Sequence, residues 1–168
     1  MAKQLGRAML IKIGDGADPE TFAFLAGINS KTLTINNAAI DATTADESNP
    51  GGQLWAQSLN GLKSVSVSGD GIFIGGTDQE ERLNAVAEAA DPVANFEVIV
   101  PDFGTYAGEF RVTTSGLGGE TEGAVTFSLA LESTGFVAFL LTGNLLLESG
   151  DVILQESGDA LLATTSGV

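Results

Sequence analysis

Residues 63–76 read "KSVSVSGDGIFIGG". Val65 and Val67 alternate with Ser64, Ser66 and Ser68, which is the period-two signature of a strand with one buried and one wet face. A Gly-Asp-Gly step at 69–71 interrupts the alternation, and the apolar run "IFI" resumes it. A β-bulge at Gly69–Gly71 would let such a strand bend and continue. The run then leaves through Gly75-Gly76 into "TDQEERLNAVAEAADP", where the period changes. Thr77 is a good N-cap and Glu80 lies three residues on, the spacing of a capping box. Asp78, Glu80 and Glu81 suit the positive end of a helix dipole. Leu83, Val86, Ala87 and Ala90 form one narrow apolar stripe, and Pro92 follows. This predicts a helix over about 78–90 that lies on a sheet.

Strands extend in both directions from this strand–helix unit. Upstream, Ala8–Ile13, Thr21–Ile28 and Ser30–Ile40 carry apolar alternation. Downstream, Asn95–Val100, Tyr106–Ser115 and Gly123–Glu132 do the same, with Phe96, Val98 and Val100 on one face, and "GLGGETEG" makes a hairpin end. "GFVAFL" closes the compact part. Between the third and fourth strands, Asp41–Gly61 shows no clean period, a length of connection that is usually functional or mobile. The expectation is a mainly β fold with one flanking helix, a β-sandwich or partly open barrel.

Composition removes several function classes. There are 22 acidic and 7 basic residues, a net charge of −15, and no basic residue after Arg111. Binding to nucleic-acid phosphates needs clustered Lys or Arg. Cysteine and histidine are absent, which removes disulfides, thiolate chemistry, histidine-based triads and most zinc sites. The opening "MAKQLGRAMLIKIGDG" does not read as a signal peptide, and no apolar run is long enough for a membrane helix. Asp15, Asp18 and Glu20 lie close together but miss the EF-hand pattern, so they read as a turn rather than a calcium loop. "IFIGGTDQEERL" runs strand, Gly-Gly, helix, yet no Lys follows the glycines and acids fill the first turn, so no phosphate loop is expected. No carboxylate pair is singled out, and neither an enzyme nor a cofactor is expected. The only tryptophan, Trp55, sits in "QLWAQSL", a candidate helical turn. It either folds back on the core or anchors a contact with another subunit.

The last stretch, "NLLLESGDVILQESGDALLATTSGV" from Asn144, repeats every eight residues, with Glu148-Ser149-Gly150-Asp151 in register with Glu156-Ser157-Gly158-Asp159. Ser-Gly suits a tight turn between short strands. The chain therefore divides at about residues 1–140 and 141–168. The repeat is expected to dock as short strands on its own or a neighbouring subunit, through Leu145, Leu147, Ile153, Leu154 and Leu161, unless it is a disordered extension.

The pieces "MLIKIGD", "GLKSVSVSGDGIF", the acidic helix leading into "PVANFEVIVPD", and "GEFRVTTSG…GAVTFSLALESTG" as a set resemble the major tail tube proteins of long-tailed bacteriophages, including the gene transfer agent branch. The resemblance covers about residues 1–140. It implies a virion structural protein that passes through the host cytoplasm during assembly. It implies six-fold rings stacked into a tube around a tape-measure protein, joined at the ends to tail tip and terminator proteins. DNA passes through without specific binding. On that pattern the loop after the third strand reaches the next ring, making Asn49, Pro50, Leu54, Trp55 and Leu59 stacking candidates. An acidic lumen would repel DNA over a Debye length of about 8 Å; Asp41, Asp46, Glu47, Asp70, Glu120 and Glu122 are the candidates. The alternatives are a monomeric binding module, adhesin-like or carbohydrate-binding through Trp55 and Tyr106, and another virion protein such as a terminator or head decoration protein.

Overall fold

The computed structural model describes residues 3–44, 48–49 and 51–141. After a 3-10 turn at Gly6–Ala8 come β1 (Leu10–Gly14), β2 (Phe22–Phe24), β3 (Ile28–Asp41), β4 (Ser58–Ile72), helix α1 (Asp78–Glu88), β5 (Val93–Val100), β6 (Gly104–Gly118) and β7 (Thr126–Leu141). All seven strands form one antiparallel sheet in the order β2-β1-β5-β6-β7-β4-β3.

This order forces a shape. β2 and β3 are opposite edges of the sheet, which laid flat would stand about 29 Å apart at roughly 4.8 Å per strand. Yet Phe24 and Ile28 are joined by the three residues Leu25–Gly27, a span of at most about 14 Å. The sheet must therefore roll up. The link is held at both sides: Leu25 N donates to the Ile11 carbonyl (2.9 Å) on β1, and Ile72 N donates to the Gly27 carbonyl (3.0 Å) on β4. The result is a partly open barrel, closed on one side by a short crossing of chain. Gly27 has φ +79°, and a Cβ there would lie 2.1 Å from the Ile72 carbonyl oxygen; one on Gly71 would lie 1.9 Å from the Gly27 oxygen. Only a glycine pair permits that approach.

Inside the roll, alternate residues meet: Ile11 and Ile13 of β1, Val65 and Val67 of β4, Phe96 and Val98 of β5, Phe110 and Val112 of β6, and Phe127, Leu129 and Leu131 of β7. Phe96 and Phe110 are fully buried and stack edge to face, centroids 6.2 Å apart. Leu83 and Val86 of α1 join the same cluster. Thr77 caps α1 as expected, its Oγ1 accepting from Glu80 N at 3.4 Å.

Several boundaries differ from the sequence reading. The expected strand Thr21–Ile28 is broken, because Gly27 turns the chain from one sheet edge to the other. The extra residue near Gly69–Gly71 lies on β3 instead: Ile28 pairs with Gly71 and Ser30 with Asp70, leaving Asn29 unpaired. The glycines of β4 serve the close approach of Gly27 and Ile28, not a bulge of their own. The supposed loop Asp41–Gly61 is shorter than expected, since the β3–β4 ladder runs on to Asp41 opposite Ser58. No helical turn forms around Trp55. β7 continues through "GFVAFL" to Leu141.

Truncating the buried aromatic pair should be costly. Phe110→Ala is expected to lower unfolding free energy by about 3–5 kcal/mol, read from the midpoint of urea denaturation at unchanged slope. A loss under about 1 kcal/mol would mean that this pair is not the centre of the core.

Candidate functional site

Three surfaces stand out once the core is accounted for. The first is a projecting hairpin. β4 stays paired with β7 only as far as Ser66 opposite Glu132, with Val65 N donating to Ser133 Oγ at 2.9 Å. Beyond that fork β7 stays paired with β6 alone, and β3–β4 continues by itself to Asp41 and Ser58. From Ser64 to Ser58 this projection is about 20 Å long at ~3.3 Å per residue. With no sheet on either face its apolar side chains stay open: Ile40, Leu54, Leu59 and Leu62 are exposed, and Trp55 is 79% exposed. The turn is pinned by Ala42 N to the Gln57 carbonyl (2.9 Å) and by Gln57 N to Thr43 Oγ1 (3.0 Å).

The second is the outer face of β3, β4 and β7. The residues alternating with the core are Ser30, Thr32, Thr34 and Asn36 on β3, opposite Asp70, Ser68, Ser66 and Ser64 on β4. Thr126, Ser128, Ala130 and Glu132 continue the face on β7. Asn36 Nδ2 donates to Ser66 Oγ at 3.2 Å, tying neighbouring strands. The face is a lawn of short hydroxyls in which Asp70 and Glu132 are the charged members. It carries a shallow concavity of about 280 Å³ between Thr34, Ser66, Thr113 and Glu132.

The third is a pocket of about 310 Å³ at the opposite end of the sheet from the hairpin tip, between α1 and the inner faces of β6 and β7. Phe73, Leu83, Leu117 and Phe127 wall it. Glu80 lines it too, only 7% exposed. The return bond of a capping box does not form, and the Glu80 carboxylate has no hydrogen-bond or ion-pair partner among the described residues. Burial raises its pKa.

The acidic candidates do not share one place. Asp41 sits at the base of the hairpin turn, where Thr43 Oγ1 (2.6 Å) and Thr43 N (2.9 Å) donate to it and lower its pKa. Asp70 lies on the hydroxyl face, and Glu120 and Glu122 lie exposed in the β6–β7 turn at the other end. Asn49, Leu54 and Trp55 occupy the hairpin turn and Leu59 the start of β4. Asp46, Glu47, Pro50, Leu145, Leu147, Ile153, Leu154 and Leu161 lie outside the described residues, as does the eight-residue repeat. Tyr106 is half-buried on Phe139, centroids 4.7 Å apart, so its ring is packed rather than offered beside Trp55 as a sugar platform. Asp15 is occupied within its own turn, accepting from Ala17 N (2.9 Å), Thr21 N (3.1 Å) and the Thr21 hydroxyl. These bonds, the Thr21 hydroxyl first, lower its pKa to about 2. Sequence reasoning missed Glu132 and the pocket around Glu80. The serines of "SVSVS" were the available signal for the face.

The model of the phage tail tube protein family matches residues 3–139 of this chain. The chain belongs to that family. A chain from the tail of an empty gene transfer agent (GTA) particle, refined with C6 symmetry, is 30% identical with a TM-score of 0.71; the match covers 82% of this chain and 98% of that one. A chain from the native GTA virion is 29% identical with a TM-score of 0.69 over the same shares. The SPP1 tail tube, at 14% identity and a TM-score of 0.54 over 80% of this chain and 76% of that one, shares the fold. No curated protein matches the sequence. The tail tube protein is thus a structural component of a virion tail, and the family is not one of enzymes.

The unpaired Glu80 gives a pH signature. A carboxyl whose pKa is raised on folding favours the native state when protonated, and that contribution is lost as pH rises through the folded pKa. Glu80→Gln is therefore expected to raise Tm at pH 7, with the gain disappearing below about pH 4, where the carboxyl is neutral in both states. Equal shifts at both pH values would mean that the charge is not what burial penalises.

Proposed function

We propose that the tail tube protein polymerises as stacked six-membered rings, with the outer face of β3, β4 and β7 lining the channel. The observation that carries this reading is that face itself. It is long, unbroken and backed by the core, and it is made of short hydroxyl side chains. Such a wall offers neither the cationic clusters that hold phosphates nor apolar patches that hold protein. A tape-measure protein and later DNA would slide past it. Asp70 and Glu132 supply like charge to DNA on the wall. Asp41, with Asp46 and Glu47 near it in the chain, falls at one rim of the wall, and Glu120 and Glu122 at the other.

The ring follows from the sheet edges. β3 is a 14-residue edge strand, and a long edge of this kind is an invitation to pair with another chain. The GTA tail relative has C6 symmetry, which supports six copies here. Heterologous contacts that close give the ring, and axial contacts that do not close give the tube. The hairpin carrying Asn49, Leu54, Trp55 and Leu59 is the element that leaves the body of the subunit and bridges to the next ring, and Pro50, next to Asn49 in the sequence, is a stacking candidate with them. Assembly in the host cytoplasm, and capping of the tube by tip and terminator proteins, complete this reading. β7 ends at Leu141, and the exposed Phe103, Leu140 and Leu141 lie at this end of the sheet. Docking of Leu145, Leu147, Ile153, Leu154 and Leu161 there, or on a neighbour, would cover that end; protection of residues 142–168 from protease in assembled tubes is the expected sign.

The cysteine-free sequence makes the channel assignment testable. Ser68→Cys on the hydroxyl face and Glu88→Cys on the exposed side of α1 are each treated with a maleimide carrying a large polymer. Both should react in free subunits. In assembled tubes Glu88→Cys should still react, while Ser68→Cys should be protected. Protection of residue 88 and labelling of residue 68 would turn the subunit inside out and remove the reading.

A further inference from the structure

The hairpin tip and the α1 pocket are at opposite ends of one strand. β4 begins at Ser58, next to the tip, and ends at Ile72, next to Phe73 of the pocket wall. Fifteen residues of strand separate them by about 50 Å. The tip of one copy therefore cannot reach its own pocket, but it can reach that of a copy displaced along the strand axis.

The two ends are chemically matched. The pocket has apolar walls, with Glu81, Asn84 and Ser115 also lining it, and Glu80 is 7% exposed there with no donor to its carboxylate among the described residues. A carboxylate with no protein donor gains a charge-assisted hydrogen bond from an incoming N–H. A group that fits is flat, apolar and carries a donor, as an indole does. The chain has one tryptophan, and it stands 79% exposed at the tip with the apolar Leu54 beside it. Leu62 and Phe136, the other strongly exposed apolar side chains, sit nearer the fork and do not lead the projection. The volume of about 310 Å³ lies in the range that accepts a ring of this size.

Resting on the stacked-ring reading, we infer that Trp55 of each subunit inserts into the α1 pocket of a subunit in the next ring, its indole N–H donating to Glu80. The contact is head to tail. It joins different patches, repeats by translation and does not close, so it builds a stack and not a dimer. Glu80 and Glu81 line the pocket and Asp41 flanks the tip, so the contact forms against like charge. Added salt, which screens that repulsion, should strengthen stacking.

The test uses two single-cysteine variants of the full chain, Leu54→Cys at the tip and Asn84→Cys at the pocket mouth, mixed, assembled and oxidised. Disulfide-linked dimers are expected from the mixture and from neither variant alone. In the unmodified protein the emission of the sole tryptophan should shift to shorter wavelength on stacking. Trp55→Ala should raise the concentration needed for stacking by about 30-fold or more, the size of a hot-spot truncation, with rings still formed. Trp55→Phe, which keeps a ring but loses the donor, should fall between. Tubes that form without cross-links and without an emission shift would overturn the inference and leave the tube reading standing, as would normal stacking by Trp55→Ala. Cross-linking of Leu54→Cys to itself would mean a tip-to-tip contact and would also overturn it. A protein that forms neither rings nor tubes at any attainable concentration, even with tail tips added, would remove the tube reading and this contact with it.

Discussion

Three residues, Leu25–Gly27, govern the architecture. They join strands that are the two edges of a seven-stranded sheet, and so they make a flat sheet impossible. Rolling the sheet brings β1 opposite β4: a Cβ on Gly69 would touch Ile11 Cδ1 at 3.6 Å across the interior. The core, helix α1 that seals one flank, and the division into an inner apolar and an outer hydroxyl face all follow from that closure. Gly27 and Gly71 are the points where backbone meets backbone.

The same closure explains what was readable in the sequence. Alternation is legible where one strand face is buried, and Val65, Val67, Phe127, Leu129 and Leu131 announced their strands for that reason. It fails from Asn37 to Asn60, because the projecting hairpin buries neither face within the subunit and selection for period two is absent. The strand expected at Thr21–Ile28 was misread because its apolar residues serve two sheet edges, not one continuous strand. A capping box seemed to account for Glu80, which hid its place in a pocket. Trp55 was legible as an oddity by its uniqueness, but only the projection of the hairpin makes it an outward feature. The acidic candidates were chosen by charge alone. Charge does not specify a face, and the structure spreads Asp41, Asp70, Glu120 and Glu122 along the whole strand axis.

The energetic problem for this subunit is to associate while carrying a net charge of −15. Like-charged copies repel, which keeps free subunits soluble. On the proposed arrangement, association would come from interactions that charge does not weaken at short range: backbone ladders along the free edge of β3, and apolar burial at the hairpin tip. The exposed apolar side chains are gathered on the hairpin, around its fork and at the two ends of the sheet, where Ile72 stands opposite Thr126; between them, from Ser64 to Asp70 of β4, the hydroxyl face is free of them. On the same arrangement, that segregation would separate surfaces that bind copies of the chain from a surface past which other molecules move.

The central claim is the orientation of the subunit about the tube axis, and a cryo-EM map of assembled tubes measures it directly. The account predicts Ser64, Ser66, Ser68, Asp70 and Glu132 facing the axis, α1 on the outside, and each β3–β4 hairpin crossing into the adjacent ring. A map with α1 facing the channel, or with the hairpins ending inside their own ring, would contradict it.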